Sequence, residues 1–198
     1  MEYKFILASA SPRRKELLEQ VGAEFEIIPA GGEEVIAGSR PQEVVVALAV
    51  QKAKEVEQRF LNDTDGAVVV LGADTVVAFG GQILGKPEDG ADAQRMLSML
   101  SGNTHSVYTG VAVVVRKDGK TELLSFYEET KVTMYPMEER QILSYIRTGE
   151  PMDKAGAYGI QGKGALYIKE IQGDYNNVVG LPVAKIFQRM SKSGIEIL

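Results

Sequence analysis

Eight side chains within the first 86 residues, each of a type that can bind phosphate, bind a metal or move a proton, stand out by their setting. Ser9, Arg13 and Arg14 fall where an apolar run breaks into small polar residues and then turns helical, in KFILASASPRRKELL. A strand feeding a helix through Ser9, Ala10 and Ser11 points free backbone N–H groups, hydroxyls and two guanidinium groups toward one place, which suits an anion. The bland alternative is an ordinary strand-to-helix turn with solvated arginines, although arginine in a first helical turn opposes the dipole and so asks for a reason. Farther on come the adjacent acids Glu33 and Glu34, then Lys52, Asp74 and Lys86. Four cations, Arg13, Arg14, Lys52 and Lys86, together with the carboxylates Glu34 and Asp74, are the parts needed to hold a metal-bound triphosphate, whose charge is about −4.

The elements that must position these groups follow from periodicity. Lys4 to Ala8 reads as a buried strand, and Pro12 opens a helix with Ser11 as its N-cap. Phe25 to Pro29 reads as a second strand, leading into a Gly31–Gly32 loop that carries Glu33 and Glu34. Ser39 to Phe60 reads as a long helix with Ser39 and Gln42 as a capping box and Val45, Ala49, Ala53, Val56 and Phe60 as its apolar stripe. Lys52 lies beside that stripe, where a lysine either snorkels along the core or reaches into a cleft. Asn62 to Gly66 reads as a turn. Ala67 to Leu71 is a fully apolar strand ending at Gly72, Ala73, Asp74 and Thr75, which leaves an acid at a strand end among small residues, a frequent place for metal or general-base chemistry.

Val76 to Phe79 and Gln82 to Leu84 then pair through Gly80 and Gly81, and Lys86 follows between Gly85 and Pro87, either aimed by that rigid turn or idle in it. Asp89 caps a helix running to Leu100 that buries Ala93, Met96, Leu97 and Leu100. Val107 to Arg116 and Thr121 to Tyr135 form a hairpin with an Asp-Gly turn, and His105 at its entrance reads as structural or surface rather than catalytic. Pro136 starts a helix to Thr148. Residues 150–182 hold six glycines and two prolines and read as a long irregular loop, too glycine-rich to be there for packing. Asp153, Lys154 and Gln161 are its contacts to a ligand, the glutamine amide being able to read a base edge. Pro182 starts a last helix.

The bulk numbers set limits. The 198 residues, 44% hydrophobic and 25% charged, suffice for one large domain or two small lobes. With no cysteine and one histidine, a disulfide framework, a thiolate zinc site, a cysteine nucleophile and a multi-histidine metal centre are excluded, so a metal would be Mg²⁺ or Mn²⁺ on carboxylates. A net charge of −5 argues against a surface that tracks nucleic acid. The sequence lacks an apolar run long enough for a membrane span or a signal peptide, and the expectation is a cytosolic protein. Neither GxxxxGK[ST], GxGxxG after a strand, nor GxSxG occurs, which leaves phosphoanhydride hydrolysis by activated water as the simplest chemistry.

The motifs LASASPRRKELL, Glu33–Glu34, QKAKE, GADTVV, LGKP, LSGNTHSVYTGVAV and EPMDKAGAYGIQGKGALYIKEIQGDYNNVVGLP occur in this order over nearly the whole chain. In that set the chain resembles the Maf family of nucleoside triphosphate pyrophosphatases, specifically its dTTP/UTP pyrophosphatase subfamily. The resemblance implies an α/β fold with a mixed, twisted sheet flanked by helices, elongated, two-lobed, similar to the inosine triphosphate pyrophosphatases, with a cleft between the lobes of a single Maf-like domain, and a homodimer. It implies hydrolysis of dTTP and UTP, and of modified pyrimidine nucleotides such as 5-methyl-UTP and pseudo-UTP, to monophosphate and pyrophosphate with a divalent metal. By the same resemblance Asp74 is the proton acceptor and, with Glu34, a metal partner; Ser9, Arg13, Arg14, Lys52 and Lys86 bind the triphosphate; and Arg13, Thr75 and Gln161 choose the base. A compact threonine and a glutamine amide suit a pyrimidine edge without excluding others. The rival reading is a non-enzymatic nucleotide sensor or a septum-formation protein that binds a cell-division partner.

Overall fold

The computed structural model describes residues 3–36, 38–61 and 67–195; the turn expected over 62–66 lies outside them. Its strands are β1 (Tyr3–Leu7), β2 (Glu26–Ile27), β3 (Ala67–Phe79), β4 (Gln82–Leu84), β5 (Thr104–Lys117), β6 (Lys120–Met134) and β7 (Ile168–Gln172). They form one mixed sheet in the order β2-β1-β3-β5-β6-β7, with β4 paired to β3. β1 runs parallel to β2 and to β3, whereas β3–β4 and β6–β7 are antiparallel. The helices are α1 (Pro12–Gln20), α2 (Pro41–Glu57), α3 (Gly90–Leu100), α4 (Glu139–Ile146), α5 (Tyr175–Val179) and α6 (Val183–Lys192). Among the described residues no helix is long and apolar enough to cross a membrane. By contacts the chain divides into two units, one of Met1–Asp74, Thr109–Glu128 and Gly180–Leu198, the other of Thr75–Tyr108 and Glu129–Val179.

In the first unit α2 lies on the strands through small residues. Ala49, Ala53, Val56 and Phe60 meet Ile6, Val68, Val70, Ala112 and Val114. Two glycines allow the approach: a Cβ on Gly72 would stand 2.4 Å from the Ala49 carbonyl oxygen, and one on Gly110 2.2 Å from the Val45 carbonyl group. This close seat explains why the apolar strand does not stop at Leu71. Gly72 is a mid-strand close-approach residue rather than a terminator, β3 continues to Phe79, and Asp74 sits inside it. The start of α2 also differs from expectation. The residue before a proline is pushed into extended backbone, so Arg40 (φ −93°, ψ 140°) is the N-cap and Glu43, not Gln42, is its partner. The helix ends at Glu57 and a 3₁₀ turn covers Gln58–Phe60.

The second unit packs α3 through Ala93, Met96, Leu97 and Leu100 against Val77, Leu84, Val107, Val132, Met134, Ile142 and Tyr145. Asp89 accepts the Asp92 N–H at 2.8 Å, as a cap should. Both tight turns take the form their residues demand: Gly80 and Gly81, and in the hairpin between β5 and β6 Asp118 and Gly119, all have positive φ. The helix expected from Pro136 begins at Glu139. Residues 150–182 are not irregular; they contain three 3₁₀ segments, β7 and α5. The pairing of β7 with β6 over Lys131–Met134 is long-range, and its own residues are largely exposed, so no periodicity marks it.

β5 begins three residues earlier than expected, which places His105 inside the strand and buries it. Its Nε2 lies 2.7 Å from the Tyr158 hydroxyl, and burial pushes its pKa down from 6.5 to about 4. The unfolded chain therefore binds this proton below pH 6.5 while the folded chain does not until about pH 4. Stability present above pH 6.5 should fall across that window by on the order of 3 kcal/mol. His105 is the chain's single histidine, so the imidazole proton NMR titration is directly assignable; a midpoint at or above 6.5 would contradict the burial argument.

Candidate active site

Ser9 stands two residues beyond the end of β1 and is buried. Its hydroxyl accepts the Ser11 N–H at 3.2 Å and the Arg14 Nη1–H at 3.1 Å. Ser11 occupies the N-cap position of α1 but its hydroxyl makes no cap bond; Ser9 takes up the backbone N–H of Ser11 itself. Arg14 Nε donates to the Gly180 carbonyl at 2.9 Å. This answers why arginine stands in a first helical turn: its guanidinium is held from two sides. Burial lowers its pKa below the ordinary arginine value, Asp74 and Glu34 opposing the shift and Arg13 adding to it. Arg13, beside it on α1, is half-buried.

Lys52 projects from α2 to a point shared by two carboxylates. Its Nζ lies 2.6 Å from Asp74 Oδ1 and 2.8 Å from Glu34 Oε1. The two pairs differ in weight: the Lys52 and Asp74 side chains are 19% and 14% exposed, whereas Glu34 is 52% exposed. Screening by water leaves the Glu34 arm little net energy, so the Lys52–Asp74 contact sets the geometry. Asp74 occupies the stretch of β3 between two ladders. β1 pairs as far as Leu71, where the Ala8 N–H makes its last bond, and β4 pairs from Val77.

The first unit thus brings together Ser9, Arg14, Glu34, Lys52 and Asp74. Thr75, Lys86 and Gln161 belong to the second. Thr75 is half-buried in β3; Lys86 is exposed and, among the described residues, has no hydrogen-bond or ion-pair partner; Gln161 is exposed ahead of the 3₁₀ segment Gly162–Tyr167. The glycine-rich segment is tied by Glu150, a residue the sequence reading passed over. Its carboxylate accepts from the Tyr145 hydroxyl at 2.8 Å, Lys163 N–H at 2.9 Å and Gly164 N–H at 3.1 Å. Lys154, expected to contact a ligand, is used internally, donating to the Glu150 carbonyl and to Asp153. Gln51 and Glu55 were also missed; they flank Lys52 on α2 one turn apart, and their amide and carboxylate bond the backbone around Glu34.

The family described as Maf-like protein matches residues 4–193. The chain belongs to the Maf-like family. A protein of Agathobacter rectalis named dTTP/UTP pyrophosphatase is 57% identical over 203 residues, covering 98% of this chain and 99% of that protein. Proteins of the same name from Bacillus cytotoxicus and Bacillus anthracis are 51% and 49% identical, covering 96% and 98% of this chain and 95% and 97% of theirs. A crystal structure of a dITP/XTP pyrophosphatase from Mycobacterium abscessus aligns at a TM-score of 0.41 with 15% identity, covering 96% of this chain and 93% of that one.

In this Maf-family chain the donor set fits a hard divalent cation. Glu34 and Asp74 already converge on one positive charge, the Lys52 ammonium, and both offer oxygen. Among the described residues no group of three or more acids or histidines could hold a metal, so a cation here would complete its shell with phosphate oxygens and water, as Mg²⁺ and Mn²⁺ do in nucleotide sites.

Proposed function

We propose that this chain hydrolyses pyrimidine nucleoside triphosphates, dTTP and UTP foremost and also 5-methyl-UTP and pseudo-UTP, to the monophosphate and pyrophosphate, as a house-cleaning enzyme of the cytoplasm working as a homodimer. The observation that carries the chemistry is the Lys52 ammonium held at 2.6 and 2.8 Å by two carboxylates; the names of the relatives support the substrates. Arg13, Arg14, Lys52 and Lys86 offset the triphosphate charge, with Ser9 holding Arg14 in place. As phosphate oxygens take up the Lys52 ammonium, Asp74 is released to accept a proton from water. The water oxygen bonds to phosphorus, and the bridging oxygen leaves with the electron pair as pyrophosphate. A divalent cation bound through Glu34 and Asp74 supplies further charge neutralisation at the phosphates. Arg13, Thr75 and Gln161 select the base.

A nucleotide panel with Mg²⁺ or Mn²⁺ tests the reading. The expected products from dTTP are dTMP and pyrophosphate. Orthophosphate with dTDP would overturn the reaction, and equal rates on purine nucleotides would overturn the base preference.

A further inference from the structure

Glu34 stands in a loop that has little of its own to hold it. Residues 31–36 are all exposed, Val35 and Ile36 to 68% and 70%, so burial of side chains does not order this stretch. Its placement comes from α2. Gln51 Oε1 accepts the Val35 N–H at 3.1 Å and Gln51 Nε2 donates to the Glu33 carbonyl at 2.6 Å. One amide therefore grips the backbone on both sides of Glu34. One turn along the helix, Glu55 accepts the Gly31 and Gly32 N–H groups at 2.8 and 3.0 Å. Arg59 then donates to Glu55 at 3.1 Å and to the Pro29 carbonyl at 3.3 Å. Lys52, between Gln51 and Glu55 in sequence, bonds the Glu34 carboxylate itself.

We propose that Gln51, supported by Glu55 and Arg59, is a positioning residue that presents the Glu34 carboxylate to a divalent cation, an inference that rests on the metal-binding reading of Glu34 given above. Ordering a loop residue costs backbone entropy. With these bonds formed, that cost is met before the cation arrives; without them, cation binding must meet it. Residues behind metal ligands commonly change affinity by about 10–100-fold when removed.

The test titrates Mn²⁺ alone into the full chain and follows free Mn²⁺ by electron paramagnetic resonance. Gln51→Ala should raise the Mn²⁺ concentration for half-occupancy about tenfold, speed amide exchange at Val35, and add nothing when Glu34→Gln is already present. Gln51→Glu, which keeps the acceptor for Val35, should lie between Gln51→Ala and the native chain. The loop 31–36 is exposed, so all variants should melt close to the native chain. Native affinity in Gln51→Ala beside a loss in Glu34→Gln would overturn the positioning role and leave the reading of Glu34 standing. An additional loss from Gln51→Ala on top of Glu34→Gln would also overturn it, by placing the effect elsewhere. Native affinity in Glu34→Gln would overturn the metal reading itself and this inference with it.

Discussion

Asp74→Asn is expected to lower turnover on dTTP by about 10²-fold or more while leaving KM nearly unchanged. The amide keeps the size and the oxygen that faces Lys52 but cannot take a proton from water. The contrast with Lys52 makes the expectation specific. Removing the ammonium, as in Lys52→Met, takes away a contact to the phosphates in both ground and transition states, so KM should rise, and it leaves Glu34 and Asp74 facing each other without the charge they share. Asp74→Asn should also cost some stability, because it removes the charge from the less exposed of the two Lys52 pairs and leaves the screened Glu34 arm. Steady-state kinetics with pyrophosphate detection, beside a thermal melt, separates these outcomes. Turnover retained in Asp74→Asn would remove it as the proton acceptor.

What could be read beforehand depended on how local the determining physics is. The α3 core face, its Asp89 cap and the two hairpin turns were legible because each is decided within a few residues by periodicity, a side-chain acceptor or positive φ. Glu34, Lys52 and Asp74 were legible as types, and their meeting at one ammonium required the fold. Asp74 was expected at a strand end because Gly72 reads as punctuation; only the helix backbone above it reveals that the glycine is there for contact. Arg14 reads as a phosphate ligand, and nothing near it in sequence announces Gly180, 166 residues away, as its acceptor. Gln51 and Glu55 carried a usable signal, since positions 51, 52 and 55 share one helical face, but polar residues on a helix surface are usually just solvated. In residues 150–182 the strand β7 went unseen because its order comes from pairing with β6 and not from its own alternation.

The packing that sets Lys52 in place leads to the largest expected loss of stability. Gly110→Ala would put a methyl group 2.2 Å from the Val45 carbonyl carbon and oxygen and 2.5 Å from the Val46 nitrogen, where ordinary contact begins at 3.4 Å. These are backbone atoms of α2, so no side chain can turn aside, and the helix must shift outward by about 1 Å in an interior packed at near-crystalline density. At most glycines outside positive φ, alanine is neutral or mildly stabilising, through a more restricted unfolded chain. Gly110 has no positive φ, so the sign here is decided by packing alone. Overpacking costs typically about 1–3 kcal/mol, and with a rigid neighbour the upper end applies, a drop of roughly 6–12 °C in melting midpoint for a chain of this size. Gly119→Ala is the control: its φ is +72° and nothing lies within 4 Å of the added carbon, so it should lose only about 1 kcal/mol. Because α2 carries Lys52, Gln51 and Glu55, the same shift should cost Gly110→Ala activity, by about 10²-fold for a misplacement near 1 Å, even below its melting temperature, and leave Gly119→Ala fully active. Equal melting midpoints and equal activities for the two variants would mean that α2 does not depend on a side-chain-free seat over β5, and that the placement of Lys52 has another origin.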